Sequence, residues 1–184
     1  MHLRTLSSAA CCTFLLATAS LAQSGGMDMP AKPGPPLSEP AVANVSLAGG
    51  GIHIAYSTPH IRNRKIMGGL VPYNEIWRTG ANDATTFETT IPVHIGTTLV
   101  PAGKYTLYTL PAPGKWMLIV NKQTKQWGTE YHQEQDLARI PMKEKELKAP
   151  QEIMSIGFED TKAASTELHV KWESTDVSVK ITTP

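Results

Sequence analysis

The strongest constraint on the fold is an alternation of apolar and polar side chains with a period of two residues. It begins after Pro40 and recurs along the rest of the chain. Such alternation is typical of strands with one buried face, and the apolar run at 116–120 is typical of a strand covered on both faces. The alternating segments are 43–47, 52–56, 91–95, 105–109, 153–158, 168–172 and 177–181.

Glycine and proline separate these segments in the way that turns separate strands. Three such breaks lie at 49–51, 101–103 and 111–114. No long amphipathic helical stripe is present, and only residues 133–139 could form one or two helical turns. The pattern therefore predicts an all-β fold, an antiparallel β-sandwich of about eight to ten strands with one long ordered loop and little helix.

The N-terminus has the three parts of a secretory signal peptide. His2 and Arg4 form a weakly basic start, and no charged residue lies between Leu6 and Ala22. The small residues Ser20 and Ala22 then form a cleavage site before residue 23. We expect residues 1–22 to be a signal peptide and the protein to be exported to the periplasm or beyond the cell. A retained anchor is the alternative; the apolar stretch is short for a membrane span.

Removal of residues 1–22 would also remove both cysteines, Cys11 and Cys12. The remaining chain could then hold no cysteine nucleophile, thiolate metal site or disulfide. Lipidation at Cys11 is disfavoured because Ser8 stands where a large aliphatic residue is expected. With Arg4 lost, sixteen basic and sixteen acidic residues remain, a balance that argues against nucleic-acid binding.

The mature chain divides into a short tether and one domain. Residues 23–40 contain many prolines and glycines and few large apolar residues, which predicts a flexible tether. Residues 41–184 are long enough for a single β-sandwich whose apolar core needs no disulfide. No membrane span is expected in this mature part.

Residues 58–82 interrupt the alternating pattern. This segment joins two strand-like regions and is rich in glycine, arginine, asparagine and aromatic residues. Long connections in compact domains are commonly functional or disordered. The apolar content of the segment, which includes Ile66, Val71 and Trp77, favours an ordered loop.

Several motifs in and around this loop resemble those of a bacterial family known as domain of unknown function 2911. The matching residues are Tyr56-Ser57 and Pro59, Arg64 with Gly68 and Leu70-Val71-Pro72-Tyr73, Trp77 to Asn82 (WRTGAN), Pro101-Ala102-Gly103 with Tyr105 and Leu107, Trp116, Asn121-Lys122, Trp127-Gly128, Tyr131 and Trp172-Glu173. The resemblance spans about residues 38–182, with Met67 as a departure where relatives tend to carry Phe. It implies an exported bacterial domain and supplies no catalytic residue or substrate.

The loop and its neighbours carry the residues that suit a ligand site. Guanidinium groups pair with anions, and aromatic rings stack on sugars. The predicted ligand-binding cluster consists of Arg64, Trp77, Arg78, Asn82, Trp127 and Tyr131. In the alternative interpretation these residues are architectural: the arginines pair with Glu75, Asp83, Glu88 or backbone carbonyls, and the tryptophans fill the ends of the sandwich.

Metal and cofactor signatures are missing from the sequence. The histidines after the leader are His53, His60, His94, His132 and His169, and none has the spacing of a metal motif. We therefore expect no metal and no cofactor. His94 and His169 fall on the polar phase of their strands and are expected to be exposed.

We interpret the chain as an exported, non-catalytic domain that binds a small polar or glycan-like ligand at one end of the sandwich. Common serine hydrolase motifs are absent. One alternative is an envelope hydrolase or isomerase acting on a sugar or peptide, with catalytic groups among Asp83, Glu75, His60 and Asp136. The other is a structural or protein-interaction module of the cell envelope that uses an exposed strand edge. The sequence does not determine the oligomeric state.

Overall fold

The computed structural model describes residues 37–184. The predicted signal peptide and most of the predicted tether lie outside these residues. The described part contains ten strands and one 3-10 helix. They are β1 (Glu39–Leu47), β2 (Gly50–Thr58), β3 (Thr85–Thr89), β4 (Val93–Ile95), β5 (Thr98–Val100), β6 (Gly103–Leu110), β7 (Met117–Asn121), the 3-10 helix (Gln133–Gln135), β8 (Asp136–Pro141), β9 (Lys143–Lys162) and β10 (Ser165–Thr182).

The strands form two antiparallel sheets, which confirms the predicted all-β sandwich class. The larger sheet has six strands in the order β1-β2-β3-β6-β7-β8, and the smaller has four in the order β5-β4-β10-β9. The chain crosses from the larger sheet to the smaller after β3 and after β8. Residues 59–84 connect β2 to β3 within the larger sheet, and this connection is the predicted ordered loop.

One apolar core draws side chains from both sheets. Ile54, Phe87 and Leu107 enter it from the larger sheet, and Met154 and Leu168 enter it from the smaller. All five are almost completely buried. Burial of each such side chain contributes about 1.5–3 kcal/mol to folding, so this shared core holds the two sheets together.

Some strands differ from the alternating segments that the sequence displays. In β3 the buried positions are Thr85, Phe87 and Thr89. Two of these three inward side chains are polar, so the strand does not show the apolar–polar alternation in its sequence. The segments predicted at 168–172 and 177–181 are one strand, β10. The register of β10 against β9 shifts on both sides of Glu173, where the sequence shows a break in the alternation.

Two further boundaries depart from the sequence prediction. Strand β1 begins at Glu39, within the last two residues of the predicted tether. The possible helical segment at 133–139 forms only the short 3-10 turn before the chain becomes β8 at Asp136. No helix in residues 37–184 is long and apolar enough to cross a membrane.

Candidate functional site

The WRTGAN segment is fixed to the larger sheet by its backbone. The N–H of Trp77 donates to the carbonyl of Thr109 at 2.8 Å, and the N–H of Thr109 donates back at 2.9 Å. Thr79 follows with a positive φ of 53° and is fully buried. Its carbonyl accepts a hydrogen bond from Oγ1 of Thr85 at 2.9 Å. The segment is therefore bonded to β6 through Trp77 and to β3 through Thr79.

The side chain of Trp77 reaches the smaller sheet. Its ring stacks on that of Trp172 in β10, with 5.8 Å between centroids and 19° between planes. It also meets Trp116 edge-on at 6.5 Å. Three of the four tryptophans thus form one cluster that ties the loop to both sheets. Aromatic pairs of this geometry add about 0.5–1.5 kcal/mol beyond their buried area.

A cavity of about 530 Å³ opens beside this tryptophan cluster. Its size falls within the range usual for small-molecule sites. Five residues of the predicted cluster line it, namely Arg64, Trp77, Arg78, Asn82 and Tyr131. Trp127 is not among the lining residues; it is 49% exposed, and its neighbours Gly128 and Thr129 contribute to the wall instead.

Two of the three arginines that line the cavity also hold the loop in place. Arg64 donates from Nε to the carbonyl of Ile61 at 3.0 Å and from Nη2 to the carbonyl of His60 at 2.6 Å. Arg62 donates from Nη2 to the carbonyl of Leu37 at 2.7 Å. The architectural interpretation therefore applies to these two side chains, and of the partners it named, backbone carbonyls rather than carboxylates accept their hydrogen bonds.

Arg78 differs from the other two arginines. Within residues 37–184 its guanidinium makes no hydrogen bond and no salt bridge. Its stem packs closely against Gly128, where an added Cβ would lie 2.4 Å from Cδ of Arg78 and 2.6 Å from the carbonyl oxygen of Asn82. Glycine at position 128 is thus required for this close approach of the Arg78 stem.

Tyr131 lines the cavity with a hydroxyl that is already engaged. The hydroxyl donates to Oδ2 of Asp136 at 2.6 Å and accepts from Nη2 of Arg139 at 2.7 Å. Burial, together with the hydrogen bond and charge of Asp136, raises the pKa of Tyr131 to about 12. The ring meets that of Tyr108 edge-on at 5.0 Å. Tyr131 is therefore a wall of the cavity whose phenol stays protonated at neutral pH.

The lining is cationic and otherwise largely apolar. It includes three arginines, Arg62, Arg64 and Arg78, and none of the described lining residues is Asp, Glu, His, Lys or Cys. The groups considered for the enzymatic alternative, Asp83, Glu75, His60 and Asp136, do not line it. The cavity can therefore attract an anion, and its own lining offers no carboxylate or imidazole to move a proton.

The histidines and acidic residues of the described chain form no metal centre. In residues 37–184 no group of three or more His, Cys, Asp or Glu side chains is arranged to hold a metal ion.

The expectation that His169 is exposed was wrong. The residue is only 5% exposed, and its Nδ1 lies 2.7 Å from Oδ1 of Asp176. The imidazole can be buried because this carboxylate is its hydrogen-bond partner.

Sequence reasoning missed several residues of the cavity wall. Tyr108 and Trp172 lie within alternating strands, where they resemble ordinary core residues. Leu70 and Ile76 belong to the recognised loop, but their apolar character suggested packing rather than a site. The sequence shows only that aromatic residues are frequent in the loop and in the strands. It does not show which of their rings are in contact.

Comparison with known proteins gives a family and no functional parallel. No curated protein and no solved structure matches the chain. The family model described as "Protein of unknown function (DUF2911)" matches residues 38–181, which is nearly all of the described domain. The chain therefore belongs to the DUF2911 family.

Proposed function

We propose that this domain binds a small polar ligand in the cavity beside Trp77 and holds it without transforming it. The observation that carries the proposal is that Arg78 lines the cavity while its guanidinium has no hydrogen-bond or salt-bridge partner within the described residues. A charged group kept free at a concave surface is available for an external ligand.

The walls of the cavity support binding because they are fixed before any ligand arrives. Trp77 is held by its backbone bonds to β6 and by stacking on Trp172. Arg64 is held by two carbonyls, and Tyr131 by Asp136. A preorganised site loses less conformational entropy on binding than a mobile one.

The composition of the lining favours binding over catalysis. General acid–base catalysis needs a group that can exchange a proton at the working pH. The described lining contains guanidiniums, an amide and hydroxyls, and Tyr131 has a pKa of about 12. On the N-terminal sequence pattern, we propose that the domain acts after export, in the periplasm or outside the cell.

The experiment uses the four tryptophans as reporters. The protein is labelled with 5-fluorotryptophan, and its fluorine resonances are assigned with single Trp→Phe variants. Methyl β-glucoside, N-acetylglucosamine, glucuronate and benzoate are then titrated to millimolar concentrations. We expect at least one of these compounds to shift the resonances of Trp77 and Trp172 saturably, because both rings line the cavity.

Two results would contradict the proposal. In one, no compound produces a saturable shift at Trp77 or Trp172. In the other, the shift is confined to Trp127, which is exposed and lies outside the lining.

A further inference from the structure

We infer that the ligand of this cavity is an organic carboxylate with an apolar body, and that Arg78 receives its carboxylate. This inference rests on the proposed binding function and specifies its ligand class. It follows from three features of the site: uncompensated charge, one available guanidinium and apolar walls.

The first feature is charge that no described carboxylate neutralises. Arg62, Arg64 and Arg78 all line the cavity, and none of them forms a side-chain salt bridge within residues 37–184. The carboxylate of Glu152 contacts only the backbone of Arg62 among these hydrogen bonds: its Oε1 accepts from the N–H of Arg62 at 2.9 Å. Several cations in a partly enclosed space attract an anion and repel a cation.

The second feature is that the guanidinium of Arg78 keeps its whole set of donors. Arg64 donates hydrogen bonds to carbonyls of the loop, and Arg62 donates one to the carbonyl of Leu37. The guanidinium of Arg78 donates none within the described residues, and the contact of its stem with Gly128 limits the positions that the guanidinium can take. A planar fork with adjacent free N–H groups matches a carboxylate in two parallel hydrogen bonds.

The third feature separates an organic acid from a free inorganic anion. Around the arginines the lining is mainly apolar or aromatic, with Leu70, Val71, Pro72, Ile76 and Trp77 among its residues. Inorganic phosphate would leave this surface in contact with water. An apolar body would cover it and gain the free energy of burial, so the cavity favours an anion attached to a ring or chain.

The test compares two probes of the same shape that differ in charge, benzoate and benzamide, in buffer of low ionic strength where screening is weak. Dissociation constants are measured from the fluorine resonances of Trp77 and Trp172. We expect benzoate to bind about tenfold more tightly than benzamide. Benzamide binding as tightly as benzoate, or inorganic phosphate binding as tightly as benzoate, would overturn the inference.

The same titrations on two matched variants locate the contact. Arg78→Gln removes one positive charge inside the cavity, and Lys122→Gln removes one from an exposed position outside the lining. We expect Arg78→Gln to weaken benzoate about tenfold and leave benzamide unchanged, and Lys122→Gln to change neither. Equal effects of the two variants would overturn the role of Arg78. Should Arg78→Gln fail to fold, the benzoate and benzamide comparison on the unaltered protein still decides the ligand class.

The outcomes also separate this inference from the proposed function. If methyl β-glucoside binds at Trp77 and Trp172 and benzoate does not, the carboxylate inference fails and the binding function stands. If no probe shifts these resonances, both fail.

Discussion

The ring of Trp77 lies 5.8 Å from that of Trp172, almost parallel to it, and the two residues belong to different parts of the sandwich. Trp77 is bonded through its backbone to Thr109 in β6 of the larger sheet, whereas Trp172 lies in β10 of the smaller sheet. Trp77 therefore joins the long loop to both sheets, to the larger through its backbone and to the smaller through its ring. The shape of the cavity beside it depends on the packing of the whole domain rather than on the loop alone.

Replacing Trp77 with alanine should destabilise the protein strongly. The substitution removes the stack on Trp172 and the edge contact with Trp116 and enlarges the cavity that Trp77 lines. Large aromatic-to-alanine changes in a core cost about 3–5 kcal/mol, and because Trp77 is partly buried we expect the loss to lie near the lower end of that range. Urea unfolding followed by far-ultraviolet circular dichroism measures the loss. Trp127→Ala serves as the control, because its ring is half exposed, and equal losses for the two variants would contradict the role of Trp77 as a tie between the sheets.

Replacing Thr85 with valine should weaken the anchoring of the WRTGAN segment. The change keeps the side-chain shape and removes the hydroxyl that donates to the carbonyl of Thr79 in a fully buried position. An acceptor left unsatisfied in the interior costs about 1–3 kcal/mol. The free energy of unfolding in urea tests this. Thr98→Val, at a partly exposed position in β5, should change it by less than about 0.5 kcal/mol, and a comparable loss there would argue against the buried bond.

Tyr131 should make the protein lose stability at alkaline pH. Its pKa is raised from 10.0 to about 12 in the folded protein, first by burial and then by Asp136. The unfolded chain therefore releases this proton at a lower pH than the folded protein. The contribution of Tyr131 to the free energy of unfolding is complete below pH 10 and is lost as the pH rises to about 12.

Tyr131→Phe tests this linkage. The variant should show a shallower fall in the free energy of unfolding over the same alkaline range, because it has no proton to release at this position. Part of the fall should remain, since burial also raises the pKa of Tyr105 and of Tyr108. Tyr73→Phe, at an exposed position, is the matched control. An unchanged slope in Tyr131→Phe would contradict the assignment.

Glu159 should contribute stability that disappears in acid. The hydrogen bond from Lys171 is the largest cause of its lowered pKa, and the charges of His169, Lys171 and Lys145 act in the same direction. A lowered folded-state pKa stabilises the protein above the ordinary value of 4.5 and ceases to do so as the pH falls below the folded value. The side chain is 47% exposed, so the contribution at neutral pH is below about 1 kcal/mol.

The matched variants for this prediction are Glu159→Gln and Glu146→Gln, the second at an exposed position. Glu159→Gln should be less stable than the unaltered protein at pH 7, and the difference should vanish in acid. Thermal unfolding across the acidic range measures both. A difference that persists unchanged in acid would show that the loss has a cause other than the carboxylate charge.

The sequence predicts the sandwich well where its buried positions are apolar. Ile52 and Ile54 alternate visibly and form β2, and Leu107 does the same in β6. Strand β3 escapes detection because it turns Thr85 and Thr89 inward, where other polar groups satisfy their hydroxyls. Hydropathy alone cannot distinguish such a strand from a polar loop.

The sequence predicted which residues line the candidate site better than it predicted what each of them does there. Most of its predicted residues lie close together in the loop, and the structure brings Arg64, Trp77, Arg78, Asn82 and Tyr131 to one cavity. Which arginine is anchored and which is free depends on where the loop carbonyls lie. That information is a property of the folded backbone, so the sequence could not separate Arg64 from Arg78.

The measurement that tests the account most directly is the free energy of unfolding of Arg78→Met, determined without and with benzoate. Because the guanidinium has no partner within the described residues, the variant without benzoate should differ from the unaltered protein by less than about 0.5 kcal/mol. Benzoate should stabilise the unaltered protein clearly more than the variant, which binds it about tenfold more weakly. A large loss of stability without benzoate, or an equal stabilisation of both proteins by benzoate, would contradict the claim that Arg78 is held free to receive a ligand.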